Sequence, residues 1–270
     1  LGYNFAVFVW QWVQQHRLLS VIALALVIVS MAGGTAWALV FRTVGTPVGL
    51  REALRIYRRE QTGKMLNSLR NRLPVPGVYT YRTSGGEGLS LMGVQRSFPS
   101  TTSMVVEDAS CASVSWVPIE QHTETTSVCS GPGGALTVSK LVTDESIAGT
   151  TTTSTIACPA TAYLLPAGAR PGQRWTATCT MTSPTEKVAL SGELLGPATM
   201  SVGGQRVSVE HTRLTMTFNG GEHGTSPTDY WVVPATGLIV REHEIVAMSS
   251  GSIQYHETMD ATLSSLHPAS

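Results

Sequence analysis

Charge is scarce in this sequence. Of 270 residues only 13% are Asp, Glu, Lys or Arg, about half the ~25% usual in soluble domains. The 18 basic and 18 acidic residues cancel, which excludes a disordered polyelectrolyte and argues against a general nucleic-acid binder. Lysine is nearly absent, with Lys64, Lys140 and Lys187 against 15 arginines. No GxSxG elbow, Walker loop or HExxH pair occurs, so the familiar motifs for acyl transfer, nucleotide binding and zinc hydrolysis are missing. No Asn-x-Ser/Thr acceptor occurs either. The four cysteines include no CxxC pair, the close spacing that structural zinc usually needs. The motifs therefore assign no catalytic residue, no cofactor and no metal ligand, and the expected role is non-catalytic.

One long apolar run is present. Residues 18–41 read LLSVIALALVIVSMAGGTAWALVF, without a charge between Arg17 and Arg42. About 20 apolar residues span a hydrocarbon core of ~30 Å, whereas signal-peptide cores are shorter. The run predicts a transmembrane helix, in which Gly33 and Gly34 suit close packing on a partner helix. The preceding residues 1–17, with Phe5, Phe8, Trp10 and Trp12, suit the membrane interface.

Residues 42–73 form a basic arm. Eight basic residues, among them Arg51, Arg55, Arg58, Arg59, Lys64, Arg70 and Arg72, face only Glu52 and Glu60. Leu50, Leu54, Tyr57, Leu66, Leu69 and Leu73 recur at helical spacing. Thr46-Pro47 reads as the start and Pro74 as the stop. Such an arm lies on anionic lipid, docks an acidic partner, or is a solvated spacer.

From residue 74 the balance reverses to nine basic and 16 acidic residues, and helical periodicity gives way to short alternating runs. Gln173–Met181 alternates Trp175, Ala177, Cys179 and Met181 with Arg and Thr, the pattern of a half-buried strand. Strands are also predicted at Val78–Thr83, Ser103–Asp108, Ala135–Thr143 and Gln205–Phe218. The apolar parity of the last switches, which implies a bulge near His211–Arg213. Gly203-Gly204 and Pro234–Gly237 are turn chemistry. Residues 74–262 are therefore expected to form an antiparallel barrel, half-barrel or sandwich, followed by a tail at 263–270. Ser84–Gly88 reads as a hairpin loop, and Thr150–Thr153 as a loop or exposed strand.

Cys111, Cys129, Cys158 and Cys179 allow three pairings. A hairpin turning near Glu120 would bring Cys111 to Cys129. A second, turning near Gly168, would bring Cys158 to Cys179. Two such bridges suit an oxidising compartment. They place the β domain outside the cytoplasmic membrane, although five arginines close to the span favour the opposite topology. Of the histidines, His211, His223, His243 and His256 fall on or near strands. Arg241-Glu-His-Glu244 puts Arg241 and His243 on one face and Glu242 and Glu244 on the other. This is half an acid–base site or the polar face of an edge strand.

The segment Asp229–Arg241, DYWVVPATGLIVR, resembles the W-V-D-P-x-T-G-L-P-V-R hairpin of envelope lipid carriers of the LolA and LppX kind. Val233 and Ile239 replace the usual Asp and Pro. That resemblance implies a curved sheet able to cradle an acyl chain. The whole layout, with motifs such as FPSTTSMVV at 98–106 and CASVSWVP at 111–118, resembles single-pass actinobacterial, including mycobacterial, envelope proteins. Among these are accessory subunits of the Mce lipid importer of the lipid uptake coordinator B type. This resemblance implies a non-catalytic subunit whose partners are an integral membrane permease, the other transporter subunits and membrane lipids. A membrane-tethered lipid- or glycolipid-binding protein acting alone is the other expectation.

Overall fold

The computed structural model describes residues 45–61, 73–90, 93–107, 110–147, 150–182 and 185–269. The expected membrane helix at 18–41, with Gly33 and Gly34, and the arm residues Lys64, Arg70 and Arg72 lie outside the described residues. Among the described residues no helix is long and apolar enough to cross a membrane.

Among the described residues one α-helix, α1 (Leu50–Gln61), precedes fourteen strands. They are β1 (Gly77–Leu89), β2 (Val94–Ser97), β3 (Thr101–Glu107), β4 (Ala112–Ile119), β5 (His122–Ser130), β6 (Leu136–Ile147), β7 (Thr150–Ala157) and β8 (Tyr163–Leu165). Then follow β9 (Arg174–Thr182), β10 (Thr185–Val202), β11 (Gln205–Asn219), β12 (His223–Val232), β13 (Ile239–Ser250) and β14 (Ile253–Leu263). Every pairing is antiparallel. The order β14-β13-β12-β11-β10-β9-β7-β6-β5-β4-β3-β1 closes through β1–β14 into a barrel of 12 strands. β2 and β8 lie off the ring on β1 and β6. Closure leaves no edge in the ring, which removes the unpaired backbone of an open sheet. Of the three architectures the alternation allowed, the barrel forms.

Individual elements follow from their residues. Gly203 and Gly204 both take positive φ (56° and 82°), as the tight turn of the long β10–β11 hairpin requires. The expected irregularity is in β10 rather than β11. Leu194 pairs Thr212 and Gly196 pairs His211, so Leu195 is the extra residue. β11 runs without a bulge. Its parity switches because the hairpin tip buries the opposite face, putting Val209 in a cluster with Tyr81, Val240 and Leu263.

The helix starts at Leu50, later than Thr46-Pro47 suggested. Thr46 and Pro47 instead bridge to the β4–β5 turn. Val48 N–H donates to Pro118 O, Glu120 N–H donates to Thr46 O, and Thr46 N–H donates to the Gln121 side chain. α1 then lays Ala53 on Val78 and Val105 of the barrel wall, with Leu54 and Tyr57 beside it. Arg51, Arg55, Arg58 and Arg59 are exposed, and Arg55 pairs with Glu52 at 2.5 Å. The tail also returns to the barrel, with Ala269 N–H donating to Val78 O.

Both expected disulfides are present. Cys111–Cys129 closes the open end of the β4–β5 hairpin, with Cα atoms 4.2 Å apart. Cys158–Cys179 joins β7 to β9 at 4.3 Å. The second is not the base of a simple hairpin, because the connection inserts β8, which pairs with β6. Among the described residues β7 and β9 share only the pairs Ile156–Met181 and Ala157–Thr180. The bridge therefore staples the most weakly laddered seam of the ring.

Candidate functional site

Alternation along each strand sends every second side chain into the barrel. At the end where the β11–β12 and β13–β14 hairpins turn, these inward positions leave an open cavity of about 420 Å³. Its walls are of two kinds. Leu141, Met181, Met216, Phe218, Val246 and Met248 are apolar, while Glu124, Glu145, Glu242, Glu244, Tyr255 and Glu257 carry acids and a phenol. Deeper in the barrel, among Trp116, Leu164, Ile239 and Met259, only about 20 Å³ remains.

The polar wall is organised around Glu87 of β1. Gly85, Gly86 and Gly88 on either side of it are strand, correcting the hairpin-loop expectation for Ser84–Gly88. The glycines are needed because β14 and β2 press on the β1 backbone. A Cβ on Gly85 would lie 1.9 Å from Thr258 O, and one on Gly86 2.3 Å from Arg96 O. Glu87 thereby reaches the interior at 3% exposure. Arg96 Nε lies 2.8 Å from Glu87 Oε1, and His122 Nδ1 lies 2.7 Å from Glu87 Oε2. Tyr255 OH donates to Glu87 Oε2 at 3.1 Å and to Glu257 Oε2 at 2.5 Å. Arg96 also reaches Glu145 Oε1 at 3.3 Å and the Ser146 carbonyl at 3.0 Å. The His122 ring is held edge-on by Phe98 and Trp116, with centroids 5.9 and 5.6 Å away.

Six carboxyl groups (Glu87, Glu124, Glu145, Glu242, Glu244 and Glu257) thus share the interior with the two basic side chains Arg96 and His122. Their environments push them apart. Burial opposes ionisation of Glu87, but the His122 hydrogen bond and the charges of His122 and Arg96 outweigh it and hold Glu87 below the usual range. Burial, reinforced by Glu87, lifts Glu145 to about 7. Burial, reinforced by Glu124, lifts Glu244 to about 7, even though Ser226 and Thr228 hydroxyls donate to it. Burial raises Glu242 and Glu257 well above the ordinary value, with neighbouring carboxyls adding to it. His122 is raised because its Glu124 and Glu87 contacts overcome the burial that would lower it. Glu242 keeps part of its surface open to the cavity.

The Arg241–Glu244 motif divides as its alternation implied, but its setting is a closed wall and not an edge strand. Glu242 and Glu244 point into the barrel. Arg241 and His243 lie on the outside, in two cross-strand rows. His211 stacks on Trp231 at 4.1 Å and Arg241 sits over the same ring at 4.7 Å. Arg213 forms a two-point pair with Asp229, and Arg241 another with Asp260. His211, His223, His243 and His256 are not brought together with the inward acids. The residues that do meet there, Glu87, Arg96 and His122, carry no motif in sequence. The one available signal was a Glu flanked by glycines inside an alternating run. All four cysteines are in disulfides.

No protein-family model matches the chain, and no match is found among curated proteins. Among solved structures it is similar to the hypothetical lipoprotein YmcC of Escherichia coli (K12), at 14% identity and a TM-score of 0.35. The similarity covers 83% of this chain and 99% of that one.

Proposed function

We propose that the domain is a binding protein that takes one amphiphilic molecule, a lipid or glycolipid, into the barrel mouth. The chain is held to the cytoplasmic membrane by residues 18–41, with the barrel on the extracytoplasmic side. The observation that carries this reading is the mixed lining of the cavity. Its volume falls in the range of ~300–1,000 Å³ typical of ligand pockets. Met181, Met216, Phe218 and Met248 suit an acyl chain, and flexible methionines adapt to ligands of varied shape. The carboxyls and hydroxyls that share the lining suit a headgroup rich in hydrogen-bond donors. A water-filled cavity lined this way leaves apolar surface wet, and an amphiphile relieves that at about 25 cal/mol per Å².

The test is to purify the full chain from its native membrane in mild detergent and extract what it carries. Stoichiometric amphiphile is expected, and Thr228→Trp, which fills the mouth, should abolish it. Wild-type protein without bound amphiphile, or equal loading of the Trp variant, would refute the reading.

A second reading keeps this chain as a non-catalytic accessory subunit of an Mce-type lipid importer. It draws on the exposed Arg51, Arg55 and Arg59 of α1, a basic strip on the helix that packs against the barrel wall. Charge reversal of these three should release permease subunits from the purified complex. A complex unchanged by reversal would exclude that role for the strip.

A further inference from the structure

The polar network of the mouth has loose ends that a bound organic molecule does not account for. Glu87 is an ionised acceptor, being paired with Arg96 at 2.8 Å. His122 Nδ1, 2.7 Å from Glu87 Oε2, therefore carries the hydrogen and donates it. In the neutral ring this leaves Nε2 as a bare lone pair. Nε2 is buried without a hydrogen-bond partner among the described residues. The ring is fully inaccessible, and Glu124 Oε1 stands 3.6 Å away, beyond hydrogen-bond reach. Glu257, at 1% exposure, accepts from Tyr255 through Oε2, while its Oε1 is equally buried and unpartnered. Donor atoms of Glu87, His122 and Glu257 lie within 4.8 Å of one another.

A buried histidine that donates one ring N–H to a carboxylate and turns the other nitrogen toward a further carboxylate has the chemistry of a metal ligand. The donated hydrogen fixes the tautomer and raises the basicity of the free nitrogen. Glu124 beside that nitrogen, and the neighbouring buried Glu257, must in the absence of a cation either take up protons or accept a positive ion. One imidazole with carboxylate oxygens is a borderline donor set. It suits first-row divalent ions such as zinc rather than magnesium or calcium, which prefer oxygen alone.

We propose that His122 Nε2, Glu257 and Glu124 form a divalent transition-metal site in the wall of the mouth, with Glu87 orienting the imidazole. Arg96 and Tyr255 already occupy Glu87, which keeps it a positioning group rather than a ligand. Glu124 and Glu257 both line the cavity, so the remaining coordination position faces it and is open to an oxygen of whatever enters. The site stands whether or not an amphiphile fills the cavity.

The test uses the full chain in detergent, carrying an affinity tag without histidines, stripped with chelator and titrated with zinc alone and with cobalt alone. One equivalent should bind, and the cobalt form should show the visible absorption of a four-coordinate nitrogen–oxygen site. His122→Gln, Glu257→Gln and Glu124→Gln should each weaken binding at least tenfold, and Glu87→Gln by about tenfold. Glu222→Gln, on the cavity rim, should leave it unchanged. Metal-free circular dichroism identifies any variant that fails to fold. Should His122→Gln do so, the partly exposed Glu124 and the cobalt spectrum still decide. Absence of stoichiometric binding would overturn the proposal and leave His122 as a charged bridge between Glu87 and Glu124. So would binding indifferent to both Glu124→Gln and Glu257→Gln.

Discussion

The two halves of the barrel interior are built on the same strands and end differently. On β14 the inward side chains near the mouth are Tyr255 and Glu257, and a few residues on they are Met259, Ala261 and Leu263, all at 1% exposure or less. β5 does the same, running from His122 and Glu124 to Val128. In the packed half, side chains fill the ring to leave about 20 Å³. In the mouth half, a lining of carboxyls, hydroxyls and apolar side chains leaves about 420 Å³ open. The alternation of a strand sets which side chains enter the barrel. Their chemistry decides whether that space becomes core or site. The packed half provides the stability that the mouth, with its buried acids, costs.

The comparison can be broken from either side. The largest effects belong to groups whose loss leaves something buried and unmatched. Glu87→Ala strands Arg96 and His122 in the wall and should cost about 3–5 kcal/mol in denaturant unfolding. Trp116→Ala, in the packed half, should cost a similar 3–5 kcal/mol through its cavity. Truncating Met216 to Ala, which already borders open space, should cost clearly less than Trp116→Ala. Equal losses at these two positions would erase the distinction between the halves.

Next comes the seam. Replacing Cys158 and Cys179 with Ser should cost about 3 kcal/mol. Hydrogen exchange should then rise first at Ile156 and Met181, which with Ala157 and Thr180 ladder β7 to β9 among the described residues. Exchange that rises uniformly would show that the seam is no weaker than the rest.

The pH dependence is smaller and has a definite sign. Glu145 and Glu244 are raised to about 7, so the folded domain holds protons that the unfolded chain releases from pH ~4.5 upward. His122 is also raised, and its contribution is likewise lost as pH rises through its folded value. The melting temperature of metal-free protein should fall between pH 5.5 and 8, and Glu244→Gln should flatten that slope. A melting temperature that rises over this range would contradict the environments described. The smallest effect is expected outside. Arg241→Ala breaks a pair with Asp260 and a contact over Trp231 on an open surface, and should cost about 1 kcal/mol or less in chemical denaturation.

Much of the fold was legible residue by residue. Val78–Thr83 and Gln205–Phe218 lie within the strands where alternation placed them, and Gln173–Met181 lies within β9 but for its first residue. Both cysteine pairs form, and Pro234–Gly237 turns between β12 and β13. Thr46-Pro47 misled because a proline after a threonine starts helices and also suits a strand bridge. Only the partner, the β4–β5 turn, distinguishes the two. The candidate site was scarcely legible. Ser84–Gly88 looked like a loop because glycine is usually a turn residue, and its cause here is the nearness of β14 and β2, 168 residues away in the case of Glu87 and Tyr255. Glu242 and Glu244 looked solvated because acids on alternate positions normally are.

The sequence by itself determined the elements. Period-two alternation, paired glycines and cysteines flanking candidate turns are local patterns, and short-range sterics and hydration act on them directly. Which face of each strand points inward, and that the ring closes at all, depended on tertiary structure. Closure requires β1 to meet β14 across the whole domain, and no local pattern records that contact. Once the ring is shut, acids on six separate positions converge in one low-dielectric space. There they acquire a shifted ionisation that none of them has alone.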